Sequence, residues 1–100
     1  MTGESVVVPS DRDVRGTVDF PESDRCVVAC PPHPRMGGSR SDSRLKAVSD
    51  ALDCACLRFD YGSWDEGYGE LSDVRDAYAW ARTRYDRVDL FGYSFGGCLA

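Results

Sequence analysis

The pentapeptide Gly92-Tyr93-Ser94-Phe95-Gly96 follows directly on the short run Val88-Asp89-Leu90-Phe91. A serine between two such glycines, reached from a strand and leading into a helix, is the pattern of a nucleophile elbow. The strained turn lifts the hydroxyl clear of the sheet, and the glycines let strand and helix approach without a clash of Cβ atoms. The chemistry such a turn can do is acyl transfer. Ser94 is the candidate nucleophile, Gly92 and Gly96 are the elbow glycines, and the backbone amide of Phe95 is half of a candidate oxyanion hole. Helix dipoles at the turn favour the negative charge that develops there. The same five residues could also form a glycine-rich turn carrying an idle serine, so the surrounding elements decide between the two.

A second amide for the oxyanion must come from the loop after an earlier strand. Pro31-Pro32-His33-Pro34-Arg35-Met36-Gly37-Gly38 stands in that place, directly after the apolar run Cys26-Val27-Val28-Ala29-Cys30. Its prolines stiffen it, Gly37-Gly38 permits a tight turn towards the next helix, and the amides of His33 and Arg35 are the candidates. His33 is the single histidine of the chain. A triad base on this kind of sheet follows the serine in the order Ser, then Asp or Glu, then His, whereas His33 precedes Ser94. The expectation is therefore a loop role for His33, and no base or acid for Ser94 is identified within these residues.

These groups need a sheet to hold them. Ser5-Val6-Val7-Val8 and the alternating Asp13–Phe20 stretch flank the turn residues Pro9-Ser10-Asp11 and read as an antiparallel hairpin. Val14, Gly16, Val18 and Phe20 lie on its inner face, with Arg15, Thr17 and Asp19 on the solvated one. The continuous apolar runs 25–30, 55–59 and 88–91 read as strands buried on both faces. Between them lie two helical stripes. One is Leu45, Val48, Ala51 and Leu52, entered from Ser41 as N-cap. The other is Leu71, Val74, Tyr78, Ala81 and Tyr85, beginning near Glu70, which with Asp73 suits the positive end of the helix. Strand, helix, strand, helix, strand predicts a mostly parallel sheet with helices on both faces and the hairpin at its edge. The loop after Cys30 and the elbow then fall at the same, carboxyl end. Asp60, at a strand exit, is expected to cap a turn, and Tyr61, Trp64 and Tyr68 to pack a long glycine-rich loop.

The composition narrows the function classes. The chain has 100 residues, 42% hydrophobic and 29% charged, with a formal net charge of −5. That describes a globular chain of one domain at most over residues 1–100, short for a complete doubly wound domain of about 150–250 residues. Lys46 is the single lysine, and acidic side chains outnumber basic ones 17 to 12. Such a surface repels phosphate backbones and anionic lipid, so nucleic-acid and membrane partners are not expected, and the bias resembles proteins of high-salt habitats. No signal-like or membrane-spanning stretch occurs, which points to the cytoplasm. The five cysteines, Cys26, Cys30, Cys54, Cys56 and Cys98, are expected to be reduced. The first four lie in or beside strands as small buried hydrophobes; a thiolate zinc site fits their spacing poorly. Nothing implies a metal or organic cofactor.

Four motifs in order carry a family resemblance. Pro31–Gly38 is similar to a His-Pro-His-Pro-x-x-Gly-Gly oxyanion loop whose first histidine is replaced by Pro31. Arg58-Phe59-Asp60 matches an Arg-Phe-Asn/Asp segment. Gly67-Tyr68-Gly69-Glu70-Leu71-Ser72-Asp73 matches a Gly-x-Gly-Glu-x-x-Asp run, with Trp80 on the helix beyond, and the elbow completes the set. Together they resemble the α/β-hydrolase superfamily, specifically small serine hydrolases close to dienelactone hydrolase. The resemblance implies an α/β fold and hydrolysis of a small-molecule ester or related acyl compound. It also implies a triad acid and histidine on strands after the elbow, beyond Ala100. On this reading the chain is the N-terminal half of a hydrolase, truncated after the elbow, and the hundred residues alone are inactive. The rival expectation is a catalytically inactive binding or scaffold domain on the same fold.

Overall fold

The structure, a computed structural model, describes residues 3–92 and 95–100. Five strands, β1 (Glu4–Val8), β2 (Val14–Asp19), β3 (Arg25–Cys30), β4 (Ala55–Asp60) and β5 (Arg87–Gly92), form one sheet in the order β1-β2-β4-β3-β5. The hairpin β1–β2 is antiparallel and β2 pairs antiparallel with β4, whereas β3 pairs parallel with both β4 and β5. All strands but β2 therefore point the same way, and the hairpin lies at one edge as the alternation predicts. Helices α1 (Ser43–Ala51) and α2 (Tyr68–Arg84) make the crossovers, and α3 (Phe95–Leu99) follows β5.

The period-2 alternation of side chains on β3 and β4 sorts the core between two faces. Cys26, Val28 and Cys30 join Ala55, Leu57 and Phe59 against Val74, Ala77 and Ala81 of α2, with Phe95 and Leu99 of α3 packed on the same cluster. On the opposite face Ala29 and Cys56 meet Leu45 of α1. Helices thus cover both faces. The α1 side also carries a polar cluster. Arg58 donates to the two carboxylate oxygens of Asp19 at 2.7 and 3.1 Å and to the carbonyl of Arg40, and Ser49 donates to Asp19 Oδ2 at 2.5 Å. Burial alone would raise the Asp19 carboxyl, but the bonds from Arg58 and Ser49 hold it below the usual carboxylate range.

The structure corrects several local readings. Asp42, not Ser41, caps α1, its carboxylate accepting from the amides of Arg44 and Leu45 at 2.9 and 3.2 Å. Ser49 is buried in place of Ala51, because the buried face of α1 includes the Asp19–Arg58 pair. Helix α2 starts at Tyr68, two residues before the expected Glu70, since the left-handed Gly67 (φ 91°) ends the preceding loop. Phe20 leaves the hairpin face: β2 ends at Asp19 and Phe20 turns outward at φ 51°. Among the described residues β5 pairs with β3 on one side, and in it Val88 is buried while Asp89 and Leu90 are exposed.

Candidate active site

The carboxyl ends of β3 and β5 lie side by side, with Cys30 opposite Gly92. From there β3 enters the proline loop and β5 enters the elbow. Tyr93 and Ser94 lie outside the described residues, so the position of the candidate nucleophile is framed by its neighbours Gly92 and Phe95. The two elbow glycines sit where a side chain would not fit. A Cβ on Gly92 would stand 2.5 Å from the carbonyl of Gly96. A Cβ on Gly96 would press on the Cys30 carbonyl and stand 2.7 Å from that of Pro31. Contacts this short force something to move, and every atom met belongs to backbone. The glycines therefore let α3 fold back closely on β5 and rest on the exit of β3.

The proline loop turns once as a 3-10 segment, Pro34–Met36, and His33 caps it, Nδ1 accepting from the amide of Arg35 at 3.1 Å. An imidazole whose Nδ1 accepts carries its proton on Nε2, so its second nitrogen is a donor. The amides of Met36 and Gly38 both donate to the His33 carbonyl at 3.0 Å, and that of Gly37 to Pro34 at 3.2 Å. Among the described residues of this loop, the His33 amide is left without a backbone or side-chain acceptor. The side chain of Arg35 points into solvent.

Aromatic rings join the loop to the elbow. His33 packs against Trp64 at 4.4 Å between centroids and against Phe95, the first residue of α3, at 4.8 Å. Trp64 and Tyr61 each lie 5.8 Å from Phe95. The hydroxyl of Tyr61 donates to the Pro31 carbonyl at 2.8 Å, and burial raises its pKa. Tyr68, by contrast, is 82% exposed and packs nothing into the loop. Asp60 accepts from the Arg40 amide at 2.8 Å and so ties down the segment entering α1. Cys30 lies directly behind the elbow, but burial pushes its thiol up to about 12, which keeps it an inert core residue.

Sequence reasoning passed over the group that holds the Trp64 segment. Arg12, from the turn between β1 and β2, forks onto both oxygens of Asp73 at 2.8 and 3.0 Å, approaches Glu70 at 3.5 Å, and donates to the Ser63 carbonyl at 2.6 Å. Both carboxylates are fully buried. They accept in turn from loop amides, Asp73 from Gly62 and Glu70 from Asp65 and Gly67, each at 2.9 Å. Glu70 and Asp73 had a signal in their glycine-flanked run at the start of α2. Arg12 had none, because its partner stands 61 positions away.

No protein-family model and no curated protein matches the sequence. Solved structures do match in three dimensions. An α/β serine hydrolase homologue from Coxiella burnetii superimposes with a TM-score of 0.86 at 23% identity, over 99% of this chain and 55% of that one. XC6422 from Xanthomonas campestris, an α/β serine hydrolase without a lid, gives 0.85 at 23% identity, over 98% and 53%. The esterase Pf2001 from Pyrococcus furiosus gives 0.79 at 18% identity, over 98% and 44%. The chain spans about half the length of these structures. The superpositions run along nearly the whole of this chain: the chain has the α/β-hydrolase fold.

Proposed function

We propose that this chain supplies the nucleophile and the oxyanion hole of a serine hydrolase acting on carboxylic esters or related acyl compounds. The observation that carries the reading is the seating of Gly96 on the carbonyls of Cys30 and Pro31 with Phe95 against His33, which brings the proline loop to the start of α3. In the proposed reaction a base takes the Ser94 proton as Oγ attacks the acyl carbon. The amides of Phe95 and His33 bind the oxyanion, the alcohol leaves with a proton, and water then hydrolyses the acyl-enzyme. His33 is preferred to Arg35 as the second donor because the Arg35 amide is already bonded to His33 Nδ1. The same bond argues against His33 as the base, since its Nε2 carries the proton. The base and its acid come, on this reading, from residues following the elbow in the longer protein, and the hundred residues alone are inactive.

The test is covalent labelling of the full-length protein by a fluorophosphonate, with hydrolysis of a short activated ester measured in parallel. Labelling at Ser94, lost in Ser94→Ala and retained in His33→Ala, supports the reading. A folded full-length protein that neither labels nor hydrolyses is instead a binding or scaffold domain on this fold. Loss of labelling in a folded His33→Ala variant would make His33 the base.

A further inference from the structure

We propose that Arg12 is a positioning residue for this site, acting through Trp64. The inference rests on the reading of Ser94 as nucleophile for its catalytic consequence, and on geometry alone for its structural one. Trp64 is the outer ring of the cluster that covers His33 and Phe95. The backbone on either side of it is anchored at Gly62, Ser63, Asp65 and Gly67, and each of these anchors is a bond to Arg12, Glu70 or Asp73. No bond of this set reaches the sheet directly. Trp64 Nε1 also donates to Glu66 at 2.7 Å and the Asp65 carbonyl accepts from the Tyr68 amide at 3.0 Å, but the group that links the anchors on both sides of Trp64 is one guanidinium bridging two buried carboxylates.

Chemistry explains why the cation must be arginine. Two carboxylates without solvent are tolerated only with a counter-charge and full hydrogen bonding. A guanidinium can fork onto Asp73 and still donate to the Ser63 carbonyl, as Arg12 does. A lysine ammonium keeps the charge but is a single point at the end of a flexible stem and cannot span all these acceptors. The side chain of Arg12 is 21% exposed, so the cluster lies at the surface end of α2, where a loosened loop can open outward without unfolding the sheet.

The experiment is hydrogen–deuterium exchange on the full-length protein carrying Arg12→Lys, paired with the rate of fluorophosphonate labelling. The expected result is exchange across residues 62–67 faster by about tenfold or more, with the protection of β3 and β4 unchanged. Labelling should slow about tenfold in Arg12→Lys and in Trp64→Ala alike, and the double variant should be no slower than the slower single one, because both changes act on the same ring. Unchanged protection of residues 62–67, or additive losses in the double variant, overturns the proposal. If Arg12→Lys does not fold, Glu70→Gln decides: faster exchange confined to the Asp65 and Gly67 amides supports the proposal, and unchanged exchange there overturns it. A parent that never labels sinks the serine-hydrolase reading, while the exchange still decides what Arg12 holds.

Discussion

Substituting Gly96 by alanine is the sharpest probe of the elbow. The added Cβ would press on the Cys30 carbonyl oxygen and stand 2.7 Å from the Pro31 oxygen and 2.9 Å from the Cys30 carbon. Carbon–oxygen contacts close to about 3.3 Å at best, and the tightest contact, on the Cys30 oxygen, requires helix α3 to back away by roughly one ångström. Cys30 cannot give, since it ends a central strand paired on both sides. Overpacking of this kind costs about 1–3 kcal/mol, against about 0.5–1 kcal/mol gained by replacing glycine inside a helix. The net loss is on the order of 1–2 kcal/mol, which in a full-length protein about twice this length lowers the melting temperature by roughly 2–8 °C. The displacement also moves the Phe95 amide. A misplacement of about 1 Å can cost about a hundredfold in rate, so a shift of that size should slow labelling at Ser94 about a hundredfold. Gly97→Ala is the matched control: Gly97 is exposed and its Cβ would meet nothing nearer than the Gly92 oxygen at 3.2 Å, so its stability should change by less than about 0.5 kcal/mol. Melting followed by circular dichroism and stopped-flow labelling measure both quantities. If Gly96→Ala melts and labels like the parent, or Gly97→Ala suffers equally, the close seating of α3 on the exit of β3 is not what holds the elbow.

Three further outcomes are expected. Asp19 is held below its unfolded value, so the stability it contributes is present above about pH 4 and drains away as the pH falls through its lower folded value. Asp19→Asn should flatten the slope of stability against pH in that acid range in urea titrations, and an unchanged slope would refute the assignment. Tyr61→Phe leaves the Pro31 carbonyl without its donor and should cost about 1 kcal/mol while loosening the proline loop, read as faster exchange in residues 31–38. Of the five free cysteines Cys98 is exposed and the others are buried, with the thiols of Cys26, Cys30 and Cys56 pushed up to about 11, 12 and 12 by burial. An aromatic disulfide reagent at neutral pH should therefore modify Cys98 alone until the protein is unfolded, and a second fast-reacting thiol would contradict the packing.

The amino-acid sequence determines the elements whose signals are local. Runs such as Cys26–Cys30 and Ala55–Phe59 are apolar throughout because both faces of a central strand are covered, and the glycines of the elbow and the prolines of the loop mark turns by their own backbone preferences. Alternation of strand and helix then leaves few topologies, and the parallel direction of the strands it implies puts the elbow and the proline loop at one end. Tertiary structure alone decides which polar groups meet. Ser49 lies outside the apolar stripe of α1 and is buried because Asp19 and Arg58 arrive from two strands. Arg12 reads as a turn residue, and its bond to Asp73 spans 61 positions. A hydrophobic period is written in neighbouring residues because burial acts on each side chain separately. An ion pair across the fold needs both partners in space at once, and no stretch of sequence around either of them records the other.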